Sequence, residues 1–390
     1  MRVLKDSATD SSHGAPAGFE HDAFVHASDE EFVQRAAGFV RQGLAAGETI
    51  VAVLPPERIA VLRHALGPLR HDVCFTDMTV AGGNPARLIP FWRDILDQHS
   101  GPVRALGEPA YPGRSQAAYD EVLLHEALTG IAFAHDRSFR LCCAYEVSVG
   151  IDPTATHSAA EALAEKGFRT ALDDIPDRAE HWEFGPDDLG EIRQWVSGQA
   201  ASHGVSRDRL EDLSLALHEI CTNSIRFGGG RGALAVWIAD RSLICDVTDR
   251  GRIDDLLVGR VLPPLDGLGG RGVWLANQLC DLVQLRSGDD FTQVRLSTRL
   301  RKVNERVTAL FNPKEFKLHE FAGLHRSSHR QHHPAGRSIP LLLDHRSRFL
   351  HAPRAGQPLQ VIDARSILRN RKRRSKYHET EHEPQSSRSH

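Results

Sequence analysis

Leu217-His218-Glu219-Ile220-Cys221-Thr222-Asn223 says most about the architecture of the second half of this 390-residue chain. It sits in a helical stripe of Leu210, Leu213, Leu217, Ile220 and Ser224, opened by Ser206 as the capping residue. Residues four apart on a helix project from the same side, so Glu219 and Asn223 share one edge of it. A carboxamide oxygen can ligate Mg2+ beside phosphate oxygens, and a neighbouring carboxylate can orient and deprotonate a hydroxyl or a water. Taken alone, such a pair is an ordinary solvated helix face. The residues downstream make it more than that.

Two strands are expected over residues 233–239 and 243–248, joined by the turn Asp240-Arg241, and the second ends in Asp249-Arg250-Gly251. An aspartate at a strand end can accept a hydrogen bond from an adenine amine while the glycine lets the base approach the backbone. Next comes Pro263-Pro264-Leu265-Asp266-Gly267-Leu268-Gly269-Gly270-Arg271-Gly272, leading into a helix expected over residues 273–282. Glycines before a helix N-terminus present backbone N–H groups and the positive end of the helix dipole to an anion. Phe291-Thr292-Gln293-Val294-Arg295-Leu296 then alternates as a closing strand.

The order of these elements resembles the N, G1, G2 and G3 boxes of the GHKL superfamily over about 115 residues. Within it, Glu219-Ile220-Cys221-Thr222-Asn223 and Gly270-Arg271-Gly272-Val273-Trp274-Leu275-Ala276 are similar to the bacterial anti-sigma factor kinases. The resemblance implies ATP and Mg2+ as cofactors. It casts Glu219 as catalytic base, Asn223 as the Mg2+ ligand, Asp249 as the adenine reader and Gly251 as its close-approach partner. Gly270 and Gly272 then close over the phosphates, and Thr292 lies near the adenine. Two positions depart from the pattern. Arg252-Ile253 follows Gly251 where the family often has a second glycine, and Phe227 leads into Gly228-Gly229-Gly230 where it often has a histidine.

Residues 18–167 alternate strand and helix signals, which implies an α/β layer with a largely parallel sheet. Ser28-Asp29-Glu30-Glu31 has capping-box spacing ahead of Phe32, Ala36, Phe39, Val40 and Leu44. Strands are expected at residues 49–54, 73–75, 103–106 and 140–144, and helices near 84–99 and 115–128. No GxxxxGK[ST] or GxGxxG occurs here, so no phosphate-cradling nest is expected. The opening Gly18-Phe19-Glu20-His21-Asp22-Ala23-Phe24-Val25, with Ser28 to Phe32, Tyr145 and His157, resembles the MEDS sensory domain, which implies a small-molecule signal. For His21 and Tyr145 taken singly, packing with a local hydrogen bond is the plainer reading.

Residues 301–390 carry 19 Lys and Arg against 8 Asp and Glu, or +11, which leaves about −14 for the first 300. The acidic body does not suggest a nucleic-acid-binding fold. The tail gathers His325, His329, His332 and His333 and a basic run at residues 369–374. It reads as a disordered extension rather than a metal or nucleic-acid site. The six cysteines form no CxxC pair and read as reduced core residues. Residues 1–20 lack the apolar run of a secretory signal, and no stretch approaches the roughly 20 apolar residues of a membrane helix, so a cytoplasmic location is expected.

The expected plan is therefore an α/β sensory domain at 18–170, a linker at 171–183, an α+β two-layer Bergerat (GHKL) ATP-binding sandwich at 184–300, and the tail. A histidine kinase needs a phosphoacceptor histidine on a two-helix hairpin, and residues 158–183 hold one short helix and the isolated His181. That favours serine/threonine phosphotransfer. The resemblance then implies a sigma factor and a STAS-type anti-sigma antagonist as partners, and a homodimer. Arg252 favours the alternative, a nucleotide-dependent partner-binding module without catalysis. A histidine-kinase-like protein lacking its own phosphoacceptor domain is the other alternative.

Overall fold

Val51 and Val53 face one side of a strand while Ile50, Ala52 and Leu54 face the other, and all five are buried. A strand apolar on both faces belongs in a sheet covered on both sides. In the computed structural model, which describes residues 18–136, 138–153, 160–263, 271–300, 348–351 and 360–363, that strand is β2 (Thr49–Leu54) of a parallel sheet. The others are β1 (Glu20–His26), β3 (Val73–Asp77), β4 (Val103–Gly107) and β5 (Phe139–Glu146), in the order β1-β5-β4-β2-β3. Helices α1 (Asp29–Ala45) and α2 (Pro56–Leu66) cover one face. Helices α3 (Met78–Ala81), α4 (Leu88–Gln98) and α5 (Gln116–Ala132) cover the other. At the start of α1, Ser28 accepts from the Glu31 N–H at 3.3 Å, and the Glu31 carboxylate accepts from the Ala27 N–H at 2.7 Å.

The sheet is wholly parallel, and it contains a strand that the apolar pattern does not reveal. In β1 the polar residues His21, Asp22 and His26 are buried, and each meets a partner on a distant element: Cys143 and Glu126, Arg140, and Glu108.

Helix α6 (Ala160–Arg169) packs on α5 and sends Phe168 into the second core. That core lies between an antiparallel sheet, ordered β6-β7-β8-β10-β9, and one layer of helices. Its strands are β6 (Glu180–Phe184), β7 (Gly232–Ala239), β8 (Ser242–Asp249), β9 (Leu282–Ser287) and β10 (Thr292–Arg299). The helices are α7 (Leu189–Ser202), α8 (Arg207–Phe227) and α9 (Arg271–Leu279). Asp240 and Arg241 both adopt positive φ in the β7–β8 turn, the geometry a two-residue hairpin demands.

Three expectations change. The polar connector ends in β6, an edge strand paired with β7, because Trp182 and Phe184 alternate with residues that edge exposure tolerates. Further upstream it covers the sheet's outer face: Ile175 and Ala179 pack against Ala235 and Trp237, and the Arg295 guanidinium donates to the Asp173 carbonyl at 2.8 Å. The helix expected to reach Leu282 stops at Leu279, where Arg209 takes up the Leu279 carbonyl at 2.7 Å, and Leu282 begins β9 instead. Ser206 is the N-cap of α8 but its side chain makes no cap hydrogen bond. In the tail, β11 (Arg348–His351) pairs antiparallel with β12 (Gln360–Asp363). The expected disordered remainder, His325 to His333, residues 369–374 and His157 lie outside the described residues.

The two sheets' helices touch through polar groups. Asn84 donates to the Asn277 carbonyl at 3.1 Å, Arg87 donates to the Asn277 carbonyl at 2.8 Å and to that of Cys280 at 2.5 Å, and Glu121 faces Arg260 and Arg286. No helix among the described residues is long and apolar enough to cross a membrane.

Candidate functional site

Helix α8 buries Leu213, Leu217, Ile220 and Cys221 against the sheet and so turns its Glu219–Asn223 edge toward α9. The start of α9 comes close to that edge. A Cβ built on Gly272 would stand 3.1 Å from both Glu219 Oε2 and Asn223 Nδ2. The first turn of α9, which carries the positive end of the helix dipole, therefore lies directly beside a carboxylate and a carboxamide. That is a setting for phosphate oxygens and a divalent cation. Residue 270, the other glycine of the expected lid, lies outside the described residues.

The second cluster forms where β8 ends. Asp249 Oδ1 accepts from the Gly251 N–H at 2.7 Å, and Thr292 Oγ1 donates to the Gly251 carbonyl at 2.9 Å. Thr292 is also the register partner of Asp249 across β8 and β10. Gly228 explains the departure seen after Asn223: a Cβ there would fall 2.3 Å from the Asp249 carboxyl carbon. A side chain at 228 would displace Asp249, so glycine is required for the close approach of the helix end to the strand end. One unforeseen residue completes this end. Ser287 Oγ lies 3.0 Å from Thr292 Oγ1 and accepts from the Ile253 N–H at 2.8 Å, bracing the turn after Gly251.

Arg252, at the position of the missing glycine, is held at the surface by Asp254 at 2.8 Å and by Asp289.

Residues 183–298 match the family model of the histidine kinase-like ATPase domain, and residues 20–164 match that of the MEDS domain, the methanogen/methylotroph, DcmR sensory domain. The serine-protein kinase RsbW of Halalkalibacterium halodurans is 33% identical over 110 residues, 25% of this chain and 68% of that protein. The RsbW of Bacillus licheniformis is 32% identical over 136 residues, 30% of this chain and 82% of that protein. The chain belongs to the RsbW family of serine-protein kinases. Its histidine kinase-like domain is preceded by a MEDS domain, as the motifs at both ends imply. Among solved structures, the RsbU and RsbW domains of Rv1364c from Mycobacterium tuberculosis match at a TM-score of 0.25 and 16% identity over 48% of this chain and 49% of that one, an overlap too slight to bear on the fold.

Of the residues singled out in the sequence, the structure brings Glu219, Asn223 and Gly272 together at one place, and Asp249, Gly251 and Thr292 at another. Residues without any local signal join the two domains behind them. Arg260, between Asp249 and the glycine-rich run in sequence, and Arg286 of β9 both meet Glu121 of α5. Burial pushes the Arg260 guanidinium down, and Glu121 opposes that effect.

Proposed function

We propose that the chain is an ATP-dependent serine/threonine protein kinase of the anti-sigma type. In this reading it holds a sigma factor and phosphorylates a STAS-type antagonist, under control of its MEDS domain. The approach of Gly272 to both Glu219 and Asn223 carries the reading, because it sets a helix N-terminus, a carboxylate and a carboxamide around one point.

Asp249 and Gly251 take the adenine, with Thr292 fixing the Gly251 carbonyl. The amides that open α9 receive the phosphates. Asn223 offers its carboxamide oxygen to Mg2+, which when bound neutralises phosphate charge. Glu219 accepts the proton of the attacking serine hydroxyl. The serine oxygen forms a bond to the γ-phosphorus as the bridging bond to the β-phosphate breaks, leaving ADP and a phosphoserine. A homodimer and a cytoplasmic location fit the same reading.

Arg252 supports the second reading, in which nucleotide only stabilises a partner-binding surface. Labelled ATP, the full chain and candidate antagonists separate the two, with Glu219→Ala as the decisive variant. The kinase reading expects phosphotransfer to fall by about 10²-fold or more while ATP affinity changes little. No transfer by the wild-type chain to any antagonist, with partner binding that still depends on ATP, would replace it with the second reading.

A further inference from the structure

His21 of β1, Cys143 of β5 and Glu126 of α5 point into one place inside the MEDS domain, on the sheet face covered by α5. His21 Nε2 lies 3.4 Å from Cys143 Sγ and 3.3 Å from Glu126 Oε2, and Cys143 Sγ lies 3.6 Å from Glu126 Oε1. We propose that these three side chains form a binding site for a zinc-type divalent transition metal, with a fourth coordination position left for an exogenous ligand.

Geometry carries the assignment. Zinc bonds of about 2.0–2.1 Å to imidazole nitrogen, ~2.3 Å to sulfur and ~2.0–2.2 Å to carboxylate oxygen put tetrahedral ligand atoms about 3.3–3.6 Å apart. The two separations from His21, to Cys143 Sγ and to Glu126 Oε2, fall in that range, and with one ligand atom taken from each residue all three lie within 4.8 Å of one another. The donor set fits too. Nitrogen, thiolate sulfur and one carboxylate suit a borderline-soft ion such as zinc rather than magnesium or calcium, which take oxygen ligands.

Charge balance makes the location tolerable. His21, Glu126 and Cys143 are 4%, 1% and 2% exposed, and Phe19 stacks on the His21 ring with Phe133 and Phe139 behind it. An isolated ion is unfavourable among aromatic rings. A divalent metal with one thiolate, one carboxylate and a neutral imidazole sums to zero, the thiol proton leaving to solvent as the metal binds. Tyr145, also buried, feels the Glu126 carboxylate, which pushes its phenol further up after burial, and would help to orient that ligand. Glu126 shares α5 with Glu121, which holds Arg260 and Arg286 of the ATPase domain, so a metal that repositions Glu126 acts on the helix joining the two domains.

The test is expression of the full chain in cobalt-supplemented minimal medium, so that the metal is present as the buried site forms, followed by absorption spectroscopy. The expected result is stoichiometric cobalt with a thiolate-to-cobalt charge-transfer band and tetrahedral d–d bands. The band is absent in Cys143→Ser, altered in His21→Gln, and retained in Cys142→Ser and Cys74→Ser. Cys142 faces the opposite core and controls for damage to the fold. Histidines of the tail can bind cobalt but give no thiolate band. Wild-type protein without that band overturns the proposal, whatever the variants do. So does a band that survives Cys143→Ser.

Discussion

Glu121 and Arg260 meet across the boundary between the two domains, with Glu121 Oε2 3.0 Å from the Arg260 guanidinium and both side chains buried. The other carboxylate oxygen lies 2.7 Å from Arg286, so one anion serves two cations of the ATPase domain. Removing the carboxylate leaves both guanidiniums buried without a counter-charge. Glu121→Gln is therefore expected to cost about 3–5 kcal/mol, read as a lower urea midpoint of the full chain. A loss under about 0.5 kcal/mol would show that the pair is solvated in solution.

Arg87 makes the same junction from a different side. It donates to the carbonyls of Asn277 and Cys280 at the end of α9, where Arg209 also takes the Leu279 carbonyl. Helix ends leave carbonyls without intrahelical partners, and a buried acceptor left alone costs about 1–3 kcal/mol. Arg87→Ala should lose that much stability and raise hydrogen exchange at α9 amides. Unchanged exchange in α9 would mean that the MEDS domain does not hold this helix.

The candidate site was legible because its residues signal locally. Glu219 and Asn223 share a helix edge, Asp249 and Gly251 end a strand, and Thr292 sits in an alternating run, so order alone suggested their partnership. Strand β1 carries no clear strand signal because His21, Asp22 and His26 interrupt its apolar pattern. The groups that satisfy them, such as Cys143 at a separation of 122 residues, are remote in sequence. Strand β9 was hidden because Leu282 continues the helical spacing of α9, and only the carbonyl contacts of Arg209 and Arg87 mark the break. Glu121, Arg260 and Arg286 are far apart in sequence and no local pattern pairs them, so the domain junction appears only once the chain is folded.

Acid should expose a smaller effect at the carboxyl end of β5. Glu146 accepts from Ser148 Oγ at 2.6 Å and from Arg58 at 2.8 Å, and these contacts, the serine first, hold its carboxyl below the usual range. A folded value below the unfolded one adds stability above the unfolded value, and this is lost as pH falls through the folded value. With the side chain 25% exposed, the contribution is about 1 kcal/mol or less. The Tm gap between wild type and Glu146→Gln should be largest near neutral pH and close on acidification. A gap that widens toward acid would reverse the assignment.

At the phosphate end, Gly272→Ala is the most discriminating single change. Its new methyl carbon would stand 3.1 Å from both Glu219 Oε2 and Asn223 Nδ2, closer than an ordinary contact, so the pair must yield by a few tenths of an ångström. The fold should survive, since Gly272 is in a helix and alanine favours that conformation. Crowding of this kind costs about 1–3 kcal/mol, of which helix propensity returns about 1, and in the proposed reading it falls on the groups that would meet the phosphates and the cation. ATP affinity should therefore drop by about 10-fold or more, since each 1.4 kcal/mol is about tenfold, while the Tm falls by only a few degrees. Asp249→Asn should weaken ATP from the other end while leaving the geometry of Glu219 untouched. If Gly272→Ala bound ATP as tightly as the wild type, the phosphates would lie elsewhere, and the start of α9 would be packing rather than a binding site.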